Sequence, residues 1–165
     1  VGVLMSKLAD QEAIRKIDRE LLMRFWRMYA QNQSNSILRC SNKFLSSLKF
    51  VKGMDFNLID CSQNFITSLN PVVGMNLVKL DCADNDIASL APLKGMALES
   101  LECFNNPRIT SLEPLRGIAL KVLAINGCTG LTDLNPILGN QSLERLCIPR
   151  GIKGIGETWV VSMRV

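Results

Sequence analysis

Cysteine is the residue of this chain with the most chemical potential, because a thiol can bind a metal, form a disulfide or act as a nucleophile. The chain has six cysteines among 165 residues and no histidine. Without histidine, Ser-His-Asp and Cys-His catalysis are excluded, and so is any zinc site not built on cysteine or carboxylates. The cysteines form no C-x-x-C pair, which disfavours zinc further. We therefore expect a protein that is not an enzyme and that holds no metal or cofactor.

The spacing of the cysteines favours a structural role instead. Four of them recur at intervals of 21 residues: Cys40, Cys61, Cys82 and Cys103. Ile125 and Ile148 stand at the equivalent place further along, so the position accepts a small or medium apolar group, and free cysteine behaves as one. Disulfides between neighbouring strands would have to fit a narrow geometry. We expect Cys147 to point outward, and it is the one candidate reactive thiol.

The same interval governs the whole middle of the chain, which follows the pattern L-x-x-L-x-L-x-x-N/C-x-L. One complete unit contains Leu77, Leu80, Cys82, Asn85 and Ile87. Five coils of 21 to 23 residues and a partial sixth, beginning at Leu143, fit this pattern. Alternate side chains of a strand face opposite ways, so the repeated residues should point inward and those between them outward. The prediction is an α/β solenoid with a parallel sheet whose strands stack about 4.8 Å apart.

Proline, glycine and asparagine mark the other parts of each coil. The prolines and glycines recur in step: Pro71, Pro92, Pro114 and Pro136 with Gly53, Gly74, Gly95, Gly117 and Gly139. Proline suits the start of a helical turn and glycine the left-handed residue that ends it, which predicts one short α or 3₁₀ turn opposite the sheet. Asparagines follow three strands at one position: Asn64, Asn85 and Asn106. An amide both donates and accepts, so we expect these side chains to satisfy backbone groups between adjacent turns.

The two ends of the chain should differ from the repeats, because an open solenoid exposes its core. We divide the chain into residues 1–34, an N-terminal helix, residues 35–150, the repeats, and residues 151–165, a C-terminal cap. Residues 7–30 predict an amphipathic helix from apolar residues spaced three and four apart: Ile14, Ile17, Leu21, Phe25 and Met28. This helix either caps the first coil or docks on a partner or a further domain. Residues 157–165 could form a final strand.

Two segments carry a family resemblance. NDIASLAPLKGMALESLECFNN and LKVLAINGCTGLTDLNPILGNQSLERLCIPRG resemble the leucine-rich repeats of the short bacterial class. Internalin-type proteins share the I-S/T-x-L-x-P-L half, the P-L-K-G-M-x-L link is similar to repeats of planctomycete-like proteins, and GCTGLTDLNP is similar to trypanosomatid repeats. The resemblance covers about residues 35–150. It implies a leucine-rich repeat solenoid that binds a protein partner on a concave sheet, and it identifies no ligand.

Binding on such a sheet would use the outward strand residues. The candidate contacts are Arg39, Asp60, Lys79, Asp81, Glu102, Phe104, Asn126 and Arg145. Asp60, Asp81 and Glu102 should form one column, and like charges directly opposite on neighbouring strands are destabilising. Either the column selects a partner with a basic surface, or it is scattered solvation balanced by Arg39 and Lys79. We expect Phe104 to be an exposed aromatic of the kind enriched in interfaces.

Charge and hydropathy narrow the partner class. The net charge of +4 comes from the chain ends, since residues 35–149 hold ten Lys/Arg and ten Asp/Glu. A nucleic-acid binder concentrates its cations on one face, so we expect no nucleic acid. No apolar run reaches the ~18 residues that span a membrane. We see no secretory signal, which favours an intracellular site, although the first residue is valine and a removed leader stays open. The oligomeric state stays open too.

The function that we expect is therefore a non-enzymatic protein-interaction module. One alternative is the substrate-recognition or regulatory segment of a larger signalling enzyme, such as a kinase or ubiquitin ligase, although no kinase motif occurs in the chain. Another is a structural subunit of a large assembly, in which the side opposite the sheet and the two caps make the contacts. Fold-level analogy alone does not separate these three.

Overall fold

The computed structural model describes residues 37–149. It contains one sheet of six parallel strands in sequential order: β1 (Ile37–Arg39), β2 (Leu58–Asp60), β3 (Lys79–Asp81), β4 (Ser100–Glu102), β5 (Val122–Ala124) and β6 (Arg145–Cys147). Each strand pairs with the next without any shift of register, so equivalent residues of successive coils lie directly opposite one another. We number the coils one to six by the strand that each contains. The α/β repeat solenoid predicted from the 21-residue interval is confirmed in this part of the chain.

A 3₁₀ turn lies between each pair of strands. These turns are Lys49–Val51, Asn70–Val72, Ala91–Leu93, Glu113–Leu115 and Asn135–Ile137. Pro92 is the second residue of its turn, where the missing N–H costs no hydrogen bond. Lys94 (φ −56°, ψ 125°) and Gly95 (φ 73°) then form the centre of a type II turn, which needs a left-handed residue at its third position. The Met96 N–H closes this turn by donating to the Leu93 carbonyl at 3.1 Å.

The core fills the space between the sheet and the 3₁₀ turns. Each coil contributes the inward residues of its strand and one or two residues of its turn, as coil three does with Leu80, Cys82, Ile87, Leu90 and Leu93. All five are at most 1 % exposed. A coil of 21 residues cannot cover these side chains alone, so the core exists only because neighbouring coils stack.

The asparagines after the strands form the predicted ladder. Asn85 Nδ2 donates to the carbonyls of Cys61, Cys82 and Ala83 at 2.9–3.1 Å, and its Oδ1 accepts the Ile66 N–H at 2.8 Å. Asn64 and Asn106 repeat this arrangement. The ladder ties each turn to the one before it, and its role as architecture is confirmed.

Coil one departs from the others where Lys43 replaces the asparagine. The Leu45 N–H donates to Asn64 Oδ1 at 3.0 Å, as the equivalent residues of coils two and three do to their asparagines, and the Lys43 N–H adds a second bond to the same oxygen at 3.0 Å. The predicted helix in residues 7–30 and the predicted cap in residues 151–165 lie outside the described residues.

Candidate functional site

The evenly spaced cysteines lie in the core, as their spacing predicts. Cys61, Cys82 and Cys103 are wholly buried, Cys40 is nearly so, and each thiol is free. Burial raises the pKa of Cys40 to about 12 and raises the pKa values of Cys61 and Cys82 as well, because a thiolate is poorly solvated there. The pKa of Cys103 is raised by its hydrogen bond with Cys128 and, after that, by burial. Thiols that stay protonated are poor nucleophiles and poor metal ligands. These four side chains are therefore core residues and not a reactive site.

Cys128 and Cys147 differ from the four evenly spaced cysteines. Cys128 occupies the asparagine position of coil five and donates its thiol hydrogen to the Cys103 carbonyl at 3.2 Å. The Cys103 thiol and the Asn106 N–H both donate to Cys128, which lowers the pKa of the Cys128 thiol. Cys128 thus replaces an asparagine within the ladder. Cys147 is exposed at the end of β6, as predicted.

The solvent side of the six strands, which we call the sheet face, brings the acidic candidates together. Asp60 lies directly opposite Asp81, and Asp81 lies directly opposite Glu102. We call these three residues the acidic column. The strands impose this arrangement, because residues two apart in a strand share a face and the register has no shift. The column predicted from sequence is confirmed as a geometric feature.

Asp81 is the centre of the acidic column and its least compensated member. Its two neighbours across the sheet are both acids, and its Oδ1 accepts the Ala83 N–H at 3.1 Å. Partial burial raises the pKa of Asp81, the Ala83 hydrogen bond opposes this, and the charges of Asp60 and Glu102 add to the rise. The position therefore favours a cation supplied from outside the sheet.

Cations flank the acidic column at its two ends. Arg39 lies opposite Asp60 across β1 and β2. Arg145 contacts Glu102 at 3.5 Å, reaching across the intervening strand β5, where the small Ala124 leaves room. Lys79 is exposed in a separate column of the sheet face, opposite Ser100. Each outer acid of the column thus has a cation nearby, whereas both cross-strand neighbours of Asp81 are acids.

Two further candidates sit beyond the carboxyl ends of the strands. Asn126 is exposed, whereas Phe104 is only partly exposed. The expectation that Phe104 is an exposed aromatic is therefore only partly met. Ala83, the residue of coil three equivalent to Phe104, is wholly buried, so this edge of the sheet face is closely packed.

Among the described residues, the exposed aromatics are a different pair, which the sequence analysis did not predict. Phe44 and Phe65 are 45 % and 56 % exposed, and their rings stack with centroids 6.3 Å apart at 29°. Both precede the inward residue that follows the asparagine position, so the repeat alignment itself places them side by side. The equivalence of these two turn positions in the repeat was the signal that could have predicted the pair.

No family model matches the chain, and no curated protein matches it either. In residues 37–149, no three Cys, Asp or Glu side chains are arranged to hold a metal ion. The part of the chain that the structure describes has no helix with the length and apolar character needed to span a bilayer.

Proposed function

We propose that this chain is a leucine-rich repeat protein of the short bacterial type and that it works as a non-enzymatic protein-interaction module. The partner binds on the sheet face and presents a basic side chain over Asp81. Support for the repeat assignment comes from the L-x-x-L-x-L-x-x-N/C-x-L pattern and from the alternation of parallel strands with 3₁₀ turns.

The observation that carries the proposal is the position of Asp81 between two acids. Like charges opposite one another reduce sheet stability, and the sequence keeps three of them in register. Arg39 is the cross-strand neighbour of Asp60 and Arg145 pairs with Glu102, whereas both cross-strand neighbours of Asp81 are acids. An Arg or Lys of a partner would place a positive charge over the middle of these three acids, and interfaces with complementary charge gain specificity and association rate.

The test begins with affinity capture by the full 165-residue chain and identification of bound proteins by mass spectrometry. The affinity of the purified partner is then measured for Asp81→Asn combined with Glu102→Gln. We expect about a tenfold loss or more, because an interfacial charge pair broken on one side commonly costs 2 kcal/mol or more.

The matched control removes the same two charges from the opposite side of the solenoid. Glu113→Gln combined with Asp133→Asn changes the first residue of one 3₁₀ turn and a residue just before the next, and it leaves the sheet face intact. The affinity of this double variant for the partner should equal that of the unaltered chain. If the two double variants bind the partner equally well, the acidic column is not the site.

A further inference from the structure

Phe44 and Phe65, the aromatic pair, form an exposed apolar patch outside the sheet face. Single exposed apolar residues are ordinary on protein surfaces, whereas two stacked exposed aromatics concentrate apolar area in one place. The same position of coil three is Asp86, which pairs with Arg108 of coil four at 3.0 Å. The residue at this turn position is thus apolar in coils one and two and charged in coil three.

The backbone of Phe44 is held in a conformation that bulky residues avoid. The φ of Phe44 is 57°, in the left-handed region, whereas the φ of Phe65 is not positive. A left-handed L-residue costs roughly 1–2 kcal/mol. The hydrogen bonds from Lys43 and Leu45 to Asn64 hold this turn and keep the Phe44 ring against Phe65. Strain of this kind is concentrated at functional sites.

The backbone groups around the aromatic pair already form hydrogen bonds with one another. The Phe65 N–H donates to the Leu45 carbonyl at 2.8 Å, and the Asp86 N–H donates to the Ile66 carbonyl at 3.0 Å. A partner therefore cannot join this surface as an additional β-strand, which requires free ladder groups. Recognition has to come from side chains.

The side chains next to the aromatic pair offer three kinds of contact. The rings offer flat apolar surface, and the exposed amides of Asn42 and Gln63, two residues before each ring, offer hydrogen-bond donors. One coil further, Asp84 and Asp86 supply negative charge at the equivalent two positions. Asp86 keeps 49 % of its side chain exposed although it pairs with Arg108. An occupant should therefore combine apolar rings, unpaired carbonyls and a positive charge.

We propose that this surface docks a proline-rich, polyproline II segment of a partner protein, with an Arg or Lys beside the prolines that faces Asp84 and Asp86. A polyproline II chain has no internal hydrogen bonds, so its carbonyls are free to accept from Asn42 and Gln63. Aromatic surfaces are the usual receptors for such segments. The surface is separate from the sheet face and does not depend on a partner there.

The experiment titrates the full chain, labelled with ¹⁵N, with a panel of synthetic decapeptides that contain a P-x-x-P core. One kind of peptide has an Arg before the core, a second has the Arg after it, and a third has Gln in place of the Arg. Amide shift changes should be confined to the turns of coils one to three around Asn42, Gln63 and Asp84. One Arg position should bind more tightly than the other, because the acids lie on one side of the aromatic pair only.

Substitutions then separate the three contacts. Phe65→Ala should weaken the best peptide at least about fivefold, as expected for an interface aromatic. Asp84→Asn with Asp86→Asn should weaken the Arg peptide and leave the Gln peptide unchanged. Val73→Ala is the matched control, since Val73 is 60 % exposed and lies away from the aromatic pair. Far-UV circular dichroism checks that each variant is folded.

Three results would overturn the proposal. One is that no peptide of the panel binds more tightly than its proline-to-alanine counterpart. Another is that Phe65→Ala binds as tightly as Val73→Ala. The third is that the shift changes lie on the sheet face around Asp81, which would assign the peptides to the proposed function instead.

Discussion

At the residue scale, the asparagine ladder shows how one side chain can hold two coils together. Asn106 is wholly buried, and its Nδ2 donates to the carbonyls of Cys82, Cys103 and Phe104 at 3.0–3.2 Å. Its Oδ1 accepts the Ile87 N–H at 2.9 Å. Since water cannot reach these groups, the side chain is what keeps them paired.

Asn106→Ala should therefore destabilise the protein strongly. It leaves the Ile87 N–H and several carbonyls buried without partners, and each such group costs about 1–3 kcal/mol. We expect a loss of about 3 kcal/mol, measured by urea denaturation. Asn76→Ala is the matched control, because Asn76 is exposed, does not have a positive φ and loses only its side-chain bond to Asp55. Equal losses for the two variants would contradict the ladder.

A second residue-scale feature is the left-handed position that follows the outward residue after each strand. Gln63, Asp84 and Asn105 have φ of 52–54° there, and coil five has Gly127 with φ 74°. Glycine adopts this region without the steric cost that other residues meet. The structure thus shows both the preferred residue and its costlier substitutes at one position.

Gln63→Gly should stabilise the protein by about 0.5 kcal/mol, the strain relieved less the additional entropy of an unfolded glycine. The Gln63 N–H bond to the Ala83 carbonyl is retained. Gln63→Ala removes the same side chain without relieving the strain, so its urea midpoint should stay near that of the unaltered chain. A glycine variant no more stable than the alanine variant would show that the turn is unstrained.

At the scale of the strand, the acidic column links stability to pH. The folded-state pKa of Asp81 is raised, so the folded protein holds this proton more tightly than the unfolded chain does. Stability from this group is greatest at low pH and is lost as the pH rises above the ordinary value of 3.8. Glu99 has the opposite effect on the pH dependence of stability. Its hydrogen bond with Lys121 lowers its pKa, so its contribution to stability is lost as the pH falls below 4.5.

Asp81→Asn should accordingly raise stability at neutral pH, by about 0.5 kcal/mol after allowance for solvent, and should leave it unchanged at low pH. The amide oxygen of the new side chain can still accept the Ala83 N–H. Glu99→Gln should lower stability at neutral pH, and thermal melts from pH 3 to 7 compare the two. If Asp81→Asn destabilises at neutral pH, Asp81 supports the fold and is not held there for a partner.

The same scale shows what the sequence could predict. The interval of 21 residues was enough to place β3, its inward Leu80 and its outward Asp81, because a parallel stack without register shifts repeats every position. It was not enough for Phe104 or for the reach of Arg145 to Glu102. Those depend on side-chain conformations across two or three coils, which periodicity does not encode. The Phe44–Phe65 contact was encoded, but in turn positions where the template asks for no residue type.

At the scale of the whole molecule, the core of residues 37–149 is built from contacts between neighbouring coils. The stability of each described coil therefore depends on how well its two sides are covered. Leu80 in β3 and Leu101 in β4 are at most 1 % exposed, whereas Leu146 in β6 is only partly buried. Coil six is therefore less completely packed than the central coils.

Native-state hydrogen exchange should show a matching gradient, with the slowest amides in β3 and β4 and faster exchange in β6. Leu80→Ala should cost about 2–5 kcal/mol, as buried leucines do, and Leu146→Ala less than half of that, because part of its side chain is already in water. The two substitutions delete the same atoms at equivalent strand positions, so urea denaturation compares them directly. Equal losses would mean that coil six is as well covered as the centre, and uniform exchange would mean that the solenoid opens as one unit. A gradient would instead place the acidic column, which spans β2 to β4, on the most rigid part of the sheet, where a docked cation finds its acids already in position.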